Sequence, residues 1–425
     1  MNPSFHIIDF VIVGIYAILL VGVGLWVSRT KKGHTKTAED YFLASKALPW
    51  WAIGSSLIAA NISAEQFIGM SGSGFAGGLA IASYEFMAAL TLIIVGKFFL
   101  PIFIKQGIYT IPEFVEKRFS TNLKTILAVF WIALFVFVNL TSVLFLGGKA
   151  IDTIVGVGDG SMIVPAIIAL AIFAAAYSLY GGLSAVAWTD VIQVALLVIG
   201  GIITTLIALH YVTPDGGILN GISHIADAAS DKFDMVLSRD NKEFNNLPGI
   251  YVLIGGLWVA NLYYWGFNQY IIQRTLAAKS LTEAQRGIAF AAFLKMLIPF
   301  IVVIPGIVAW VMYSEDLYGA RSAFEIAGST ALNNDNAYPW LISTFIPVGV
   351  KGLVLAALAA AIVSSLASML NSTSTIFTMD IYKPYINREA SQTKLVNVGR
   401  LTAGIALIIA VCLAPLLGGI DQMFQ

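Results

Sequence analysis

Apolar runs of about 20 residues recur along the whole chain, separated by short polar breaks. As helices rising 1.5 Å per residue, such runs are long enough to cross a hydrocarbon core of roughly 30 Å. The pattern predicts ten spans, at about 7–27, 52–72, 79–103, 125–146, 162–180, 184–210, 249–276, 287–313, 349–379 and 396–417. An eleventh is expected to begin near Gly419 and to be incomplete, because the chain stops at Gln425.

Two of these runs are wrong for plain spanning helices. In 52–72, Asn61, Ser63, Glu65 and Gln66 fall where hydrocarbon would lie, and Gly54, Gly69 and Gly72 weaken helical continuity. In 249–276 the interruptions are Gly255, Gly256, Asn261, Gly266, Asn268 and Gln269. Polar groups at that depth are tolerated only when buried in protein or lining a wet cavity. A helix broken at mid-membrane also frees carbonyls and N–H groups that can hold an ion and a polar solute. The alternative for 52–72 is an interface helix packed through its small residues. Asn61, Glu65 and Gln66 argue against that.

Counted from the first broken run, the second is the sixth. Two broken helices at matching places in two runs of five mark an inverted-repeat transporter. The expected division is an extra N-terminal span and loop (1–48), a first five-helix repeat (49–210), an outer loop (211–248) and a second repeat, incomplete at its fifth helix (249–425). The fold class is therefore an all-α, multi-pass helical bundle.

Composition agrees with this reading. Charged residues are 11% of the chain, against about a quarter in soluble proteins, and mean hydropathy is +0.84. Net charge is zero and the basic residues are scattered, so no nucleic-acid partner is expected. Cys412 is the single cysteine, which excludes an internal disulfide or a thiolate metal site. No G-x-x-x-x-G-K-S/T loop is present, so the chain carries no such ATP-driven motor.

Loop charges set the orientation. Arg29, Lys31, Lys32, Lys36 and Lys46 follow the first span, and later loops on the same side hold Lys117, Arg118, Lys124, Lys383, Arg388 and Lys394. The 211–248 break instead holds six acids and three basic residues. Positive loops stay inside, which places the N-terminus outside. With no basic residue before it, the first run reads as a retained span, not a cleaved signal.

Three segments carry a family resemblance: S-A-E-Q-F-I-G-M-S-G at 63–72, Y-G-G-L-S-A-V at 180–186 with W-T-D-V-I-Q-V at 188–194, and A-A-A-I-V-S-S-L-A-S-M-L-N-S at 359–372. They resemble the sodium:solute symporter family, and within it the bacterial sodium/galactose and sodium/glucose cotransporters. The resemblance implies a leucine-transporter-type fold, with ten core helices as two inverted fives behind one extra N-terminal helix. It also implies a bacterial inner-membrane symporter that imports a sugar by alternating access, with sodium as coupling ion and no other cofactor. Carried over residue by residue, the sugar contacts fall on Gln66, Glu85, Asn261, Lys295 and Gln425, and Tyr264 closes the sugar from the inside. Sodium falls on the carbonyls of Ala59, Ile62 and Ala361 and the hydroxyls of Ser364 and Ser365, with Asp190 on the exit path. One departure is Phe86, where sugar-branch relatives commonly carry Trp.

The residue types fit those roles, each against a plainer reading. Glu85 and Lys295 enter from opposite faces, and their heights could differ by only about 8 Å within the roughly 30 Å core. With Gln66 and Asn261 they offer donors and acceptors for several hydroxyls; the alternative is a structural ion pair. Tyr263, Tyr264, Trp265 and Phe267 suit packing or an interfacial belt equally well, with Tyr264 singled out. Ser364 and Ser365 could simply bond back to the preceding turn, but opposite a broken helix they suit a hard cation. Asp190 could cap a helix start with Thr189. Other functions kept open are symport of inositol, sialic acid or an amino acid, a membrane sugar sensor, and a passive channel.

Overall fold

The structure is a computed structural model that describes residues 6–419, apart from 30–32, 156–159, 214, 248 and 327–331. Helices account for nearly all of it. Among the described residues, the only extended pairing is two isolated bridges, Leu48 with Ala278 and Glu325 with Leu332. Eight helical stretches among the described residues are long and apolar enough to span a bilayer, or nine if the bent pair Lys242–Ile254 and Leu257–Phe267 is one span.

The count falls below the expected ten because both flagged runs are broken into pieces too short to cross. The first is α2 (Trp50–Asn61, 12 residues) followed by α3 (Ala64–Gly77, 14 residues). At the junction Ile62 (φ −81°, ψ 118°) and Ser63 (φ −122°, ψ −175°) are extended, so the i→i−4 ladder stops. The second half, α3, turns at Gly78 (φ +76°) into α4 (Ser83–Ile94). A side chain at Gly78 would meet the backbone of Lys232, so the turn requires both the positive φ and the missing Cβ.

The second broken run passes from α5 (Leu257–Leu262) through a π-helical turn at Tyr263–Phe267 to extended Asn268 (φ −75°, ψ 123°). There Asn268 caps the next piece, α6 (Gln269–Leu276), by accepting from the N–H of Tyr270 at 3.3 Å. The sequence expectation of two interrupted helices therefore holds at both places.

Long helices frame these breaks. They are α7 (Ile7–Val27), α8 (Leu183–Tyr211), α9 (Leu281–Ser314) and α10 (Val350–Ile376). On α9, Gly306 lets α3 approach so closely that a Cβ would lie 2.1 Å from the carbonyl of Ser71. The most apolar part of the 350–386 span is 94% buried, which makes α10 the central strut. Its Ala356–Ala361 stretch lets neighbours pack tightly. Asp9 of α7, fully buried, accepts from the N–H groups of Gly349 (2.7 Å) and Gly352 (2.9 Å) and so ties the extra helix to the start of α10.

Candidate transport site

The residues expected to hold a polar solute meet in one cavity of about 320 Å³, a size within the usual range of ligand pockets. Gln66 and Met70 come from α3, Glu85 from α4, Asn261, Tyr264 and Trp265 from the second broken run, and Lys295 from α9. The charged pair is in direct contact: Lys295 Nζ donates to Glu85 Oε2 at 2.5 Å, and Gln66 Nε2 donates to Glu85 Oε1 at 2.6 Å. Both charges are almost wholly buried, at 2% and 1% exposure. A buried ion pair is poor evidence for stability, since desolvation offsets most of its attraction. Placed on a cavity wall inside a membrane span, it reads as a site. Lys295 Nζ also stands 5.4 Å from the centroid of the Trp265 ring.

Asn261 is held by its own helix. Its Nδ2 donates to the carbonyl of Leu257 (3.0 Å), and its Oδ1 accepts from Trp265 Nε1 (3.2 Å). Gln425 lies outside the described residues. Sequence reasoning counted Asn61 among the polar residues of the first broken run without assigning it a contact, and read Trp265 as packing or interfacial belt; both line the cavity. Asn61 Oδ1 is buried and accepts no hydrogen bond, which leaves an acceptor available on the wall.

Tyr264 stands between two spaces. A second cavity of about 420 Å³ shares Asn61, Gln66 and Tyr264 with the first and continues past Tyr270 to Ser365 and Met369. The Tyr264 hydroxyl is fixed there, accepting from Asn61 Nδ2 (3.0 Å) and from the Tyr270 hydroxyl (2.8 Å).

The expected cation ligands are all buried around the first break. Ser365 Oγ lies 3.2 Å from the carbonyl of Ala361 and 3.2 Å from that of Ala60, next to the expected Ala59. The bond to Ala361 is the back-bonding anticipated as the plainer reading; the one to Ala60 reaches across to the broken helix. Ser364 instead donates to Asp190 Oδ1 at 2.5 Å. Hydroxyls and carbonyls form an all-oxygen donor set, which suits a hard cation such as sodium.

Asp190 is not a helix-start cap. Gly182 occupies the N-cap of α8, and Thr189 Oγ1 bonds back to Ala185 and Val186. The Asp190 carboxylate, fully buried, is held by Ser56 and Ser364 and pairs with Arg274 at 3.5 Å. Arg274, also fully buried, donates to Ser56 Oγ (2.6 Å), to Ser368 Oγ and to the carbonyl of Tyr270. This arginine was absent from the sequence reading, because at the end of a span it looks like one more inner-loop cation.

The sequence profile of the sodium:solute symporter family matches residues 41–422. This chain belongs to that family. It is 65% identical over 421 residues to a sodium/glucose cotransporter of Vibrio parahaemolyticus, covering 98% of this chain and 76% of that protein. A sodium/myo-inositol cotransporter of Canis lupus familiaris is 32% identical over 98% of this chain, which spans 60% of the relative's length. Among solved structures, a Na+-coupled sialic acid symporter in a substrate-bound, outward-open state superposes with a TM-score of 0.83 at 27% identity, over 98% of this chain and 82% of that one. The family member described here thus has the leucine-transporter-type fold, is a multi-pass membrane protein, and is a transporter rather than an enzyme.

Proposed function

We infer that this chain is a sodium-coupled symporter that carries a sugar of the glucose/galactose class inward by alternating access. The observation that carries the reading is the cavity beside Tyr264, where Gln66, Glu85 and Lys295 form one polar network and Asn61 offers an unused acceptor. A sugar presents several hydroxyls, each both donor and acceptor, around a ring with an apolar face. Glu85 accepts, Lys295 and Gln66 donate, and Tyr264 and Trp265 supply aromatic surface. The 65% identity to a sodium/glucose cotransporter supports the same class of substrate.

On this reading sodium binds where the first break meets α10, at the carbonyls of Ala59, Ile62 and Ala361 and the hydroxyls of Ser364 and Ser365, with Asp190 leading inward. Residues 49–210 and 249–425 act as the two inverted repeats, and Gln425 completes the sugar contacts. The N-terminus lies on the outer side of a bacterial inner membrane. Cysteines introduced at Lys36 and Asn241 should then label from opposite sides, and labelling from the same side overturns that orientation.

A second substrate class has its own support, since the relatives include myo-inositol cotransporters at 32% identity. The deciding experiment is uptake of labelled glucose, galactose and myo-inositol into proteoliposomes under an inward sodium gradient, with potassium replacing sodium as control. Sodium-dependent accumulation of a hexose above equilibrium is expected. Accumulation of inositol alone would move the substrate to that polyol, and equal uptake without sodium would refute symport.

A further inference from the structure

We propose that Tyr270 and Arg274 form a positioning relay through which the sodium-side helix sets the state of the sugar gate. The proposal rests on the symport reading above and adds to it a route between the two sites. Both residues stand on α6, the short helix that starts immediately after the second break at Asn268. They are one turn apart, so the carbonyl of Tyr270 receives the guanidinium of Arg274 while the Tyr270 side chain points the other way. There its hydroxyl donates to the hydroxyl of Tyr264 at 2.8 Å, on the wall shared by the two cavities.

At the other end, Arg274 Nε donates to Ser56 Oγ at 2.6 Å, and its guanidinium lies 3.5 Å from the Asp190 carboxylate. Asp190 in turn accepts from Ser364 Oγ at 2.5 Å. Polar contacts therefore run from Ser364 on α10, through Asp190 on α8 and Arg274, to the backbone carbonyl of Tyr270, and the side chain of Tyr270 carries the link on to Tyr264. Every member from Ser364 to Tyr270 is buried, Tyr270 at 4% and the rest at about zero exposure. From Ser364 to Arg274 the groups are enclosed in protein, so a change at one member is passed to the next.

The bond from Ser364 to Asp190 is what sodium would disturb. A serine oxygen drawn toward a cation through a lone pair shifts away from the carboxylate and weakens its bond there. Asp190 would then rest more fully on Arg274, drawing the first turn of α6 and shifting the Tyr270 hydroxyl against Tyr264. Because α6 is joined to the gate through an extended residue and a π-turn, it can move without bending a continuous helix. A purely structural buried ion pair would also place Arg274 here, but it gives Tyr270 no reason to bond the gate.

The test is a cycle of wild type, Tyr270→Phe, Ser364→Ala and the double variant. Tyr270→Phe removes only the hydroxyl, keeping the ring against Phe135 (5.6 Å between centroids) and the carbonyl for Arg274. Binding of labelled glucose is measured at zero and saturating sodium, and thermal melting shows that each variant folds. Tyr270→Phe should cut the sodium-induced gain in sugar affinity by roughly three- to tenfold, the worth of one hydrogen bond. The sodium-free affinity should change little, and the loss should be non-additive with that of Ser364→Ala. A full gain in folded Tyr270→Phe, an equal weakening with and without sodium, or strictly additive losses overturns the relay while leaving symport intact. Absence of any gain in wild type overturns the coupling that both readings require.

Discussion

The two proposed binding regions share one broken helix and are built in opposite ways. The sugar cavity is lined by a complete charge pair and carries an acceptor, Asn61 Oδ1, that no protein group uses. On the sodium side the oxygens are already bonded to one another, with Ser365 on Ala60 and Ala361, and Ser364 on Asp190. A sugar can therefore enter a largely prepared site. On the proposed reading, an ion entering among these oxygens draws them toward itself and strains their present bonds, so its binding shifts groups of α2, α8 and α10. Coupling follows from that difference: the ion site is the region that rearranges, and the sugar site reads the result.

The strongest way to break this comparison is at the charge pair. Lys295→Ala leaves Glu85 buried without its counter-charge, which should cost about 3–5 kcal/mol and abolish saturable sugar binding. If the pair were only structural, the double variant Glu85→Gln, Lys295→Met would restore both stability and binding. The account predicts recovered thermal stability with sugar binding still lost.

A smaller effect is expected from single neutral contacts. Gln66→Ala and Asn261→Ala should each weaken sugar binding by about 1–3 kcal/mol, or roughly 5- to 150-fold. Equilibrium binding of labelled glucose checks this, and unchanged affinity in both variants would remove them from the site.

Ser365→Ala sharpens the contrast from the other side. It removes an ion ligand and no sugar contact, so sodium-free sugar affinity should hold while the sodium-induced gain disappears. Titrating sodium against sugar binding distinguishes this from the reverse pattern, in which basal affinity falls and the gain survives.

The sugar side was legible in the sequence because charged and amide residues are conspicuous within apolar runs. Glu85 and Lys295 stood out against their apolar neighbours, and Asn61 and Asn268 marked both breaks. The sodium side was less legible, because serines, alanines and backbone carbonyls are ordinary in packed membrane helices. Arg274 was missed for a geometric reason. Its partners, Ser56 and Asp190, lie 218 and 84 positions away in the chain, and only the fold brings them together. Asp9 escaped for the same reason: its acceptor role at Gly349 and Gly352 spans 340 and 343 positions. Among the described residues, the helical stretches long enough to cross number fewer than the expected ten spans because a broken helix contributes pieces, such as the 12-residue Trp50–Asn61, that no length criterion counts.

The central claim is that sodium and sugar bind to one mechanical unit, the helix broken at Ile62 and Ser63. Linkage then requires that sodium raise sugar affinity by the same factor as sugar raises sodium affinity. The direct measurement is both titrations on the same preparation, glucose binding across sodium concentrations and sodium binding across glucose concentrations. The account predicts equal factors, of about 5- to 150-fold. Independent binding, with neither ligand changing the affinity of the other, would contradict it.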